Sequence, residues 1–390
     1  MQLRPASNEP GSHPAFQLPR RVDFLHPGYA TRAVLLSLPA LDDGGVDFDT
    51  ALAACGVLAG NRWGDGFFSS DRDGAARVAR PGDGVLRDPQ YFFHLPGPLH
   101  PPYPVVPRFS DWRFPHGNLP PLWEQWASTA VREGGAAASQ WCAVTNYGDG
   151  LEIAHLVPAA EEDWWLCNGM ARYASRHTYS SATIDSRANM LTLRADLHRV
   201  FDEKNFCLVP KLESESGTDP PRRDENDAVP EPRSPQLVLH VFNSTPSGQL
   251  PKLWHNRVLH PIPATVAVEC LFARFAWTIF GSYVFDIFLP ETTVPRRLLL
   301  WNREEGKWDV EEASPEKYNG EIGLWYDNAL GFTKRQEEHE EPRGRSRKRR
   351  LSIDAQDYEP SSGPTAVYDG QGSTVMHSSN STLIHLFKEL

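Results

Sequence analysis

The chain has 390 residues and a formal net charge of −11, so it is long enough for two or three compact units. It is not coated with basic residues, and any grip on a polyanion must be local and salt-sensitive. Hydrophobic residues make up 40%, with 12 Trp and 19 Phe, which excludes a wholly disordered chain.

The chain opens with MQLRPASNEPGSHPAF, which lacks the apolar segment of a secretory signal. Residues 1–19 are polar and Pro-rich and are expected to be disordered. Residues 20–125 read as a small α+β module. Within it a strand is expected over Ala33 to Leu38, an Ala-rich helix over Phe48 to Leu58, and a strand from Phe67 that enters a turn by Gly74. A helix over Leu122 to Arg132 leads into the next unit, 126–211.

In that unit Leu151-Glu-Ile-Ala-His155-Leu-Val157 is short, apolar and β-branched and stops at Pro158, which predicts a strand with His155 near its end. Asn189 opens a second short apolar run. From Arg194 the period changes: Leu197, Val200 and Phe201 fall at helical spacing. His198 and Asp202, four apart, therefore share a neighbouring face and can hold one cation. Between the strand and Asn189 lie Trp164, Trp165 and Tyr173, read as cover for the site rather than a stacking platform for bases.

Strands are expected over Asn205 to Lys211 and Gln236 to Phe242, separated by an acidic, Pro-rich excursion, 212–235, without structure of its own. Residues 236–332 then form a strand and helix extension on the core. The most hydrophobic run, Ala264 to Leu289, contains Glu269, Arg274 and Asp286; charges in hydrocarbon are costly, so a buried helix is expected and a membrane span is not. Leu298 to Trp301 reads as a short strand followed by polar turns, and the folded part ends near Phe332.

The tail, 333–390, is expected to be disordered. An acidic cluster precedes the basic run Arg343, Arg345, Arg347, Lys348, Arg349 and Arg350, the form of a nuclear import signal read by an import receptor. Ser352, after Arg349-Arg350-Leu, resembles a basic-directed phosphorylation site. The five cysteines, Cys55, Cys142, Cys167, Cys207 and Cys270, include no CxxC pair. That gives neither a zinc ribbon nor a disulfide framework. The expected location is a reducing one, nuclear or cytoplasmic, and the oligomeric state is not readable.

The order His155, Asn189, His198, Asp202 resembles the HNH (ββα-metal) endonucleases, in the version common among fungal proteins. The resemblance covers roughly residues 140 to 211. Asn189 and His198 are nine apart and His198 and Asp202 four, as in the helix of the nuclease colicins, where both helical ligands are His. It implies an α+β protein with a ββα-metal core, hydrolysis of a DNA (or RNA) phosphodiester, and one divalent ion, Mg²⁺ or Mn²⁺ with Zn²⁺ as the alternative. By position, His155 matches the general base, Asn189 the residue that fixes the base-bearing loop, and His198 and Asp202 the metal ligands. Arg187, Arg194 and Arg199 flank the site as candidate phosphate grips.

The residue types suit that chemistry. Imidazole, with an ordinary pKa of about 6.5, can deprotonate water near neutral pH. An amide both donates and accepts, so it can pin a backbone loop. One position departs from the family: the ligand expected just before the base is Ala154. Either Glu152, two residues earlier on the same strand face, reaches the metal, or the site has two protein ligands, or it is an inactive nuclease fold kept for nucleic-acid or scaffold contacts.

Overall fold

The protein is seen here as a computed structural model that describes residues 19–129, 140–174, 183–213, 234–243, 247–281, 288 and 294–313. The chain divides into two units, Met1–Leu330 and Gly331–Leu390, and all described residues lie in the first. Residues 1–18, most of 212–235, and the tail with its basic run and Ser352 lie outside the described residues.

The N-terminal part is built on β1 (Arg21–Leu25), β2 (Val34–Pro39), β3 (Val46–Asp47), α1 (Phe48–Leu58), β4 (Phe67–Ser69), β5 (Arg77–Val78), β6 (Val85–Leu86) and β7 (Gln90–His94). Five strands make one sheet in the order β2-β1-β7-β4-β5, with β1 and β7 parallel and the other pairs antiparallel. α1 begins where the sequence reading put it. Asp47 accepts the Thr50 N–H at 2.8 Å and the Thr50 hydroxyl at 2.6 Å, an N-cap that satisfies donors the first turn leaves unpaired. Gly56 on α1 lets Trp63 lie against the helix: a Cβ there would come within 2.7 Å of the Trp63 backbone nitrogen. Cys55, on the same helix, is a buried free thiol, as are Cys142, Cys207 and Cys270, whereas Cys167 is exposed.

The remaining elements are α2 (Pro121–Thr129), β8 (Leu151–His155), α3 (Glu162–Cys167), β9 (Met190–Arg194), α4 (Ala195–Asp202), β10 (Phe206–Lys211), β11 (Gln236–Val241), α5 (Gln249–Trp254), α6 (Val268–Ile279), β12 (Arg296–Asn302) and β13 (Lys307–Ala313). α2 starts on a proline, which lacks only an N–H that the first turn leaves free, and it buries Trp123 and Trp126. β10 and β11 pair antiparallel from Phe206↔Val241 to Lys211↔Gln236.

One reading is corrected. The polar turns expected after Trp301 are instead a hairpin: β12 and β13 pair over seven residues about Gly306 in left-handed backbone, with Trp301 opposite Trp308. Alternation of charged residues with Trp308 and Val310 carries β13, a weaker signal than an apolar run. The strands β1 and β7, which lie inside the large sheet, were not anticipated; β7 is a buried run without alternation, whereas β1 is a short alternating stretch of only five residues. Within the insertion the described residues include a short helix, α3, whose Trp164 and Trp165 are buried; Trp164 stacks parallel on Trp112 at 5.5 Å.

α6 is apolar on nearly every side, as a helix enclosed by protein must be. Among the described residues no helix is long and apolar enough to cross a membrane. One hydrophobic core runs from Val22 and Phe24 through Trp112, Ala154, Leu193 and Phe201 to Phe272 and Leu298. The strands and helix of the candidate site are therefore rooted in the same core as the N-terminal sheet and α6.

Candidate active site

The site grows from a two-stranded ladder and the helix that continues it. β8 and β9 pair antiparallel from Leu151↔Arg194 to His155↔Met190, and α4 follows β9 without a break. One face of the ladder, with Ala154, Leu191 and Leu193, is buried; Ile153, on the other, is 62% exposed. Successive strand residues point to opposite faces. Glu152 therefore shares the inner face with Ala154 at its open end, and His155 shares the outer face with Ile153.

Asn189 is fully buried just before β9. Its Oδ1 accepts the Val157 N–H at 2.7 Å, and its Nδ2 donates to the carbonyls of Val157 at 2.8 Å and Ile184 at 2.9 Å. Its own carbonyl accepts the Leu156 N–H at 2.8 Å. The amide thus acts as an extra rung of sheet beyond the end of β8, where Pro158 stops the strand. Without it, two backbone groups of Val157 would be buried unpaired, at about 1–3 kcal/mol each.

His155 emerges from this pinned loop, partly exposed, with Nε2 2.9 Å from Asp185 Oδ1. An ionised carboxylate can only accept, so Nε2 carries the proton and Nδ1 keeps its lone pair. Nothing in the sequence pattern singled out Asp185, which is a solvent-facing residue in a turn.

His198 stands between two carboxylates. Its Nδ1 is 2.7 Å from Glu152 Oε2 and its Nε2 is 3.3 Å from Asp202 Oδ2. Glu152, one of the alternatives read from the sequence as a metal ligand, here meets the ring edge opposite Asp202. With the Nδ1 proton given to Glu152, Nε2 is left as a donor atom beside Asp202. The pair fits one small divalent ion, whose bonds of about 2.1 Å set adjacent ligands about 3 Å apart. Ala154 is completely buried below them.

Behind the pair lies Arg274 of α6, 1% exposed. It stacks on the Phe201 ring at 3.4 Å, donates to the carbonyls of Phe201 and Leu156, and reaches to 4.0 Å from Asp202 Oδ1. Burial draws its pKa down to about 9, with Asp202 opposing the shift, so it remains a cation at neutral pH. Of the candidate phosphate grips, Arg194 has its fork closed on Asp196, with two bonds of 2.6 Å. Arg199 is largely exposed beside Glu203 at 3.3 Å, and Arg187 is exposed on the turn that holds Asn189.

A second set of donor atoms lies elsewhere. Asp42, His240 and His255 come together in the interior. Asp42 Oδ1 accepts from Lys211 Nζ at 2.5 Å, Asn256 Nδ2 at 2.7 Å and His255 Nε2 at 2.9 Å. His255 Nδ1 in turn accepts the Val241 N–H at 3.2 Å. That bond leaves the ring proton on Nε2, facing Asp42, where a metal would need a lone pair. Lys211 already supplies the cation, so this is a structural ion network. Burial pushes Asp42 up, but Lys211 and the His255 bond outweigh it and hold the carboxyl well below its ordinary range.

Compared with curated proteins and with solved structures, the chain matches none. Residues 142–209 match the family model of HNH endonucleases, a span that holds β8, Asn189, β9 and α4. With its buried asparagine, its histidine at the end of one strand and its histidine and aspartate on the following helix, this stretch is an HNH endonuclease family domain.

Proposed function

We propose that the protein is a metal-dependent endonuclease that hydrolyses phosphodiester bonds of DNA, with His155 as the general base. The observation that carries the reading is His198. Glu152 fixes one ring nitrogen and leaves the other beside Asp202, the form of a carboxylate-oriented histidine ligand.

In this reading Asn189 holds the loop after β8, and Asp185 keeps the proton on Nε2 of His155. Nδ1 then takes the proton from the attacking water. His198 and Asp202 would hold Mg²⁺ or Mn²⁺, and Glu152 supports His198 rather than binding the ion. The ion supplies stabilisation for the charge that develops on the phosphorane and the leaving oxygen. Arg187 is the readiest of the three arginines to contact a phosphate, because Arg194 and Arg199 already have acidic partners.

Buried Ala154 favours a second reading, an inactive fold kept for nucleic-acid or scaffold contacts. Nicking of supercoiled plasmid by purified full-length protein separates the two. The nuclease reading expects cleavage with Mg²⁺ or Mn²⁺, none with chelator, and a loss of at least about a hundredfold in His155→Ala. Cleavage of RNA alone would change the substrate class. No cleavage of either would leave the scaffold reading. The basic run from Arg343 to Arg350 is proposed to direct nuclear import, with phosphorylation of Ser352 weakening it.

A further inference from the structure

The residues on either side of the two proposed functional positions are joined by a single side chain from outside the family span. Leu156 directly follows His155, and Phe201 directly precedes Asp202. Arg274 donates to both of their carbonyls, with the Leu156 bond at 3.3 Å. We infer that Arg274 is a positioning residue of the active site, which sets the loop bearing the base and the helix end bearing the ligand against each other. The inference rests on the nuclease reading above.

Three observations support it. First, the Phe201 carbonyl lies in the last turn of α4, at the negative end of the helix dipole, and beside the Lys204 N–H that it accepts at 3.0 Å it has a second lone pair for Arg274. A buried guanidinium there is both hydrogen-bond donor and countercharge.

Second, Arg274 places a positive charge beside the ligand itself. Asp202 presents Oδ1 to Arg274 at 4.0 Å and Oδ2 to His198 at 3.3 Å. The oxygen nearer Arg274 is thus not the one beside His198 Nε2, which is the one left for a cation.

Third, packing alone does not account for an arginine here. Its neighbours on α6 are mostly apolar, and its Nε finds no acceptor among the described residues. An apolar residue of similar length avoids that cost, and buried ion pairs are often replaceable by apolar residues without loss of stability. Stacking on Phe201 and on Trp277 at 4.5 Å fixes the plane of the guanidinium, so its donors are aimed rather than merely enclosed.

The test uses full-length protein and reads Mn²⁺ binding by calorimetry without nucleic acid, alongside plasmid nicking. Arg274→Met keeps the length and removes both donors and the charge. It is expected to stay folded by circular dichroism, to weaken Mn²⁺ binding roughly tenfold to a hundredfold, as loss of an outer-shell partner does, and to lower the nicking rate. Arg274→Lys, which restores a charge and one donor, is expected to recover part of both. In an Asp202→Ala background, Arg274→Met should weaken Mn²⁺ binding no further. A folded Arg274→Met with wild-type Mn²⁺ affinity and nicking overturns the inference while leaving the nuclease reading intact. If Arg274→Met does not fold, Arg274→Lys decides: wild-type Mn²⁺ affinity in it overturns the inference. Wild-type protein that neither binds Mn²⁺ nor nicks overturns the nuclease reading, and this inference with it.

Discussion

Glu152 and Asp202 approach opposite nitrogens of the His198 ring, at 2.7 and 3.3 Å, and that opposition assigns the two acids different work. Glu152→Gln keeps an acceptor for the Nδ1 proton but removes the charge that makes Nε2 a better donor. The expected outcome is a metal titration of nicking shifted upward by roughly tenfold, with little change in the maximal rate. An unchanged titration in the folded variant would show that Glu152 does not act through His198.

The next prediction concerns Ala154, which is buried on the face that Glu152 shares. Ala154→Asp places a carboxylate in the interior, where an unpaired charge is costly. Its thermal midpoint is expected to fall without metal and to recover on adding Mn²⁺ by more than the wild type gains, because ligand binding to the native state adds stability. Equal Mn²⁺ responses in variant and wild type would mean that position 154 does not face the ion.

Asp185 is expected to act only through His155. Asp185→Ala should lower nicking by roughly tenfold, and the double variant with His155→Ala should be no slower than His155→Ala alone. Multiplicative losses would place Asp185 in a separate role, such as contact with substrate. Asp185→Asn, which still accepts the Nε2 proton, should retain most of the wild-type rate.

A fourth expectation concerns acid. Burial draws His26 down to about 3, with the Tyr103 carbonyl opposing, and burial likewise lowers His240 and His255 below 6.5. These rings are neutral when folded and take up protons when unfolded, so their stabilisation is complete above about pH 6.5 and drains away as the pH falls. His26, drawn down to about 3, costs about 2 kcal/mol at pH 5. His240 has neither ring nitrogen hydrogen-bonded and lies against Phe242 at 4.7 Å. His240→Phe should therefore raise the thermal midpoint at pH 7.5 and flatten its decline between pH 6.5 and 5. A slope as steep as that of the wild type would place the acid sensitivity elsewhere.

The tail is tested separately. Deleting Arg343 to Arg350 should move a fluorescent fusion from nucleus to cytoplasm without altering the thermal midpoint. Undiminished nuclear accumulation would place the import signal in another segment.

What the sequence disclosed follows from distance along the chain. His198 and Asp202 are one helical turn apart, so local periodicity brings these two together, and Asn189 lies just before the strand that runs into their helix. The face shared by Glu152 and Ala154 was equally readable from strand alternation. Which atom Glu152 would touch was not, because that depends on the angle between β8 and α4. Asp185 sits in an exposed turn, where aspartate is ordinary. Arg274 read as one charge in an apolar run, because its partners are brought to it only by the packing of α6. The packing of the insertion tryptophans was not readable, because Trp112, on which Trp164 stacks, lies in a Pro-rich stretch without periodicity.

The continuity of the core with the N-terminal sheet has a practical side. Trp164 stacks on Trp112, Phe201 lies under Arg274, and Ala154 is sealed beneath the ladder. A fragment cut at the limits of the family span would leave α4 without the guanidinium at its end and Trp164 without its stacking partner. The family domain is therefore not a portable cassette to be transplanted between proteins, and substitutions on α1, α2 or α6 reach its strands and helix through the shared core.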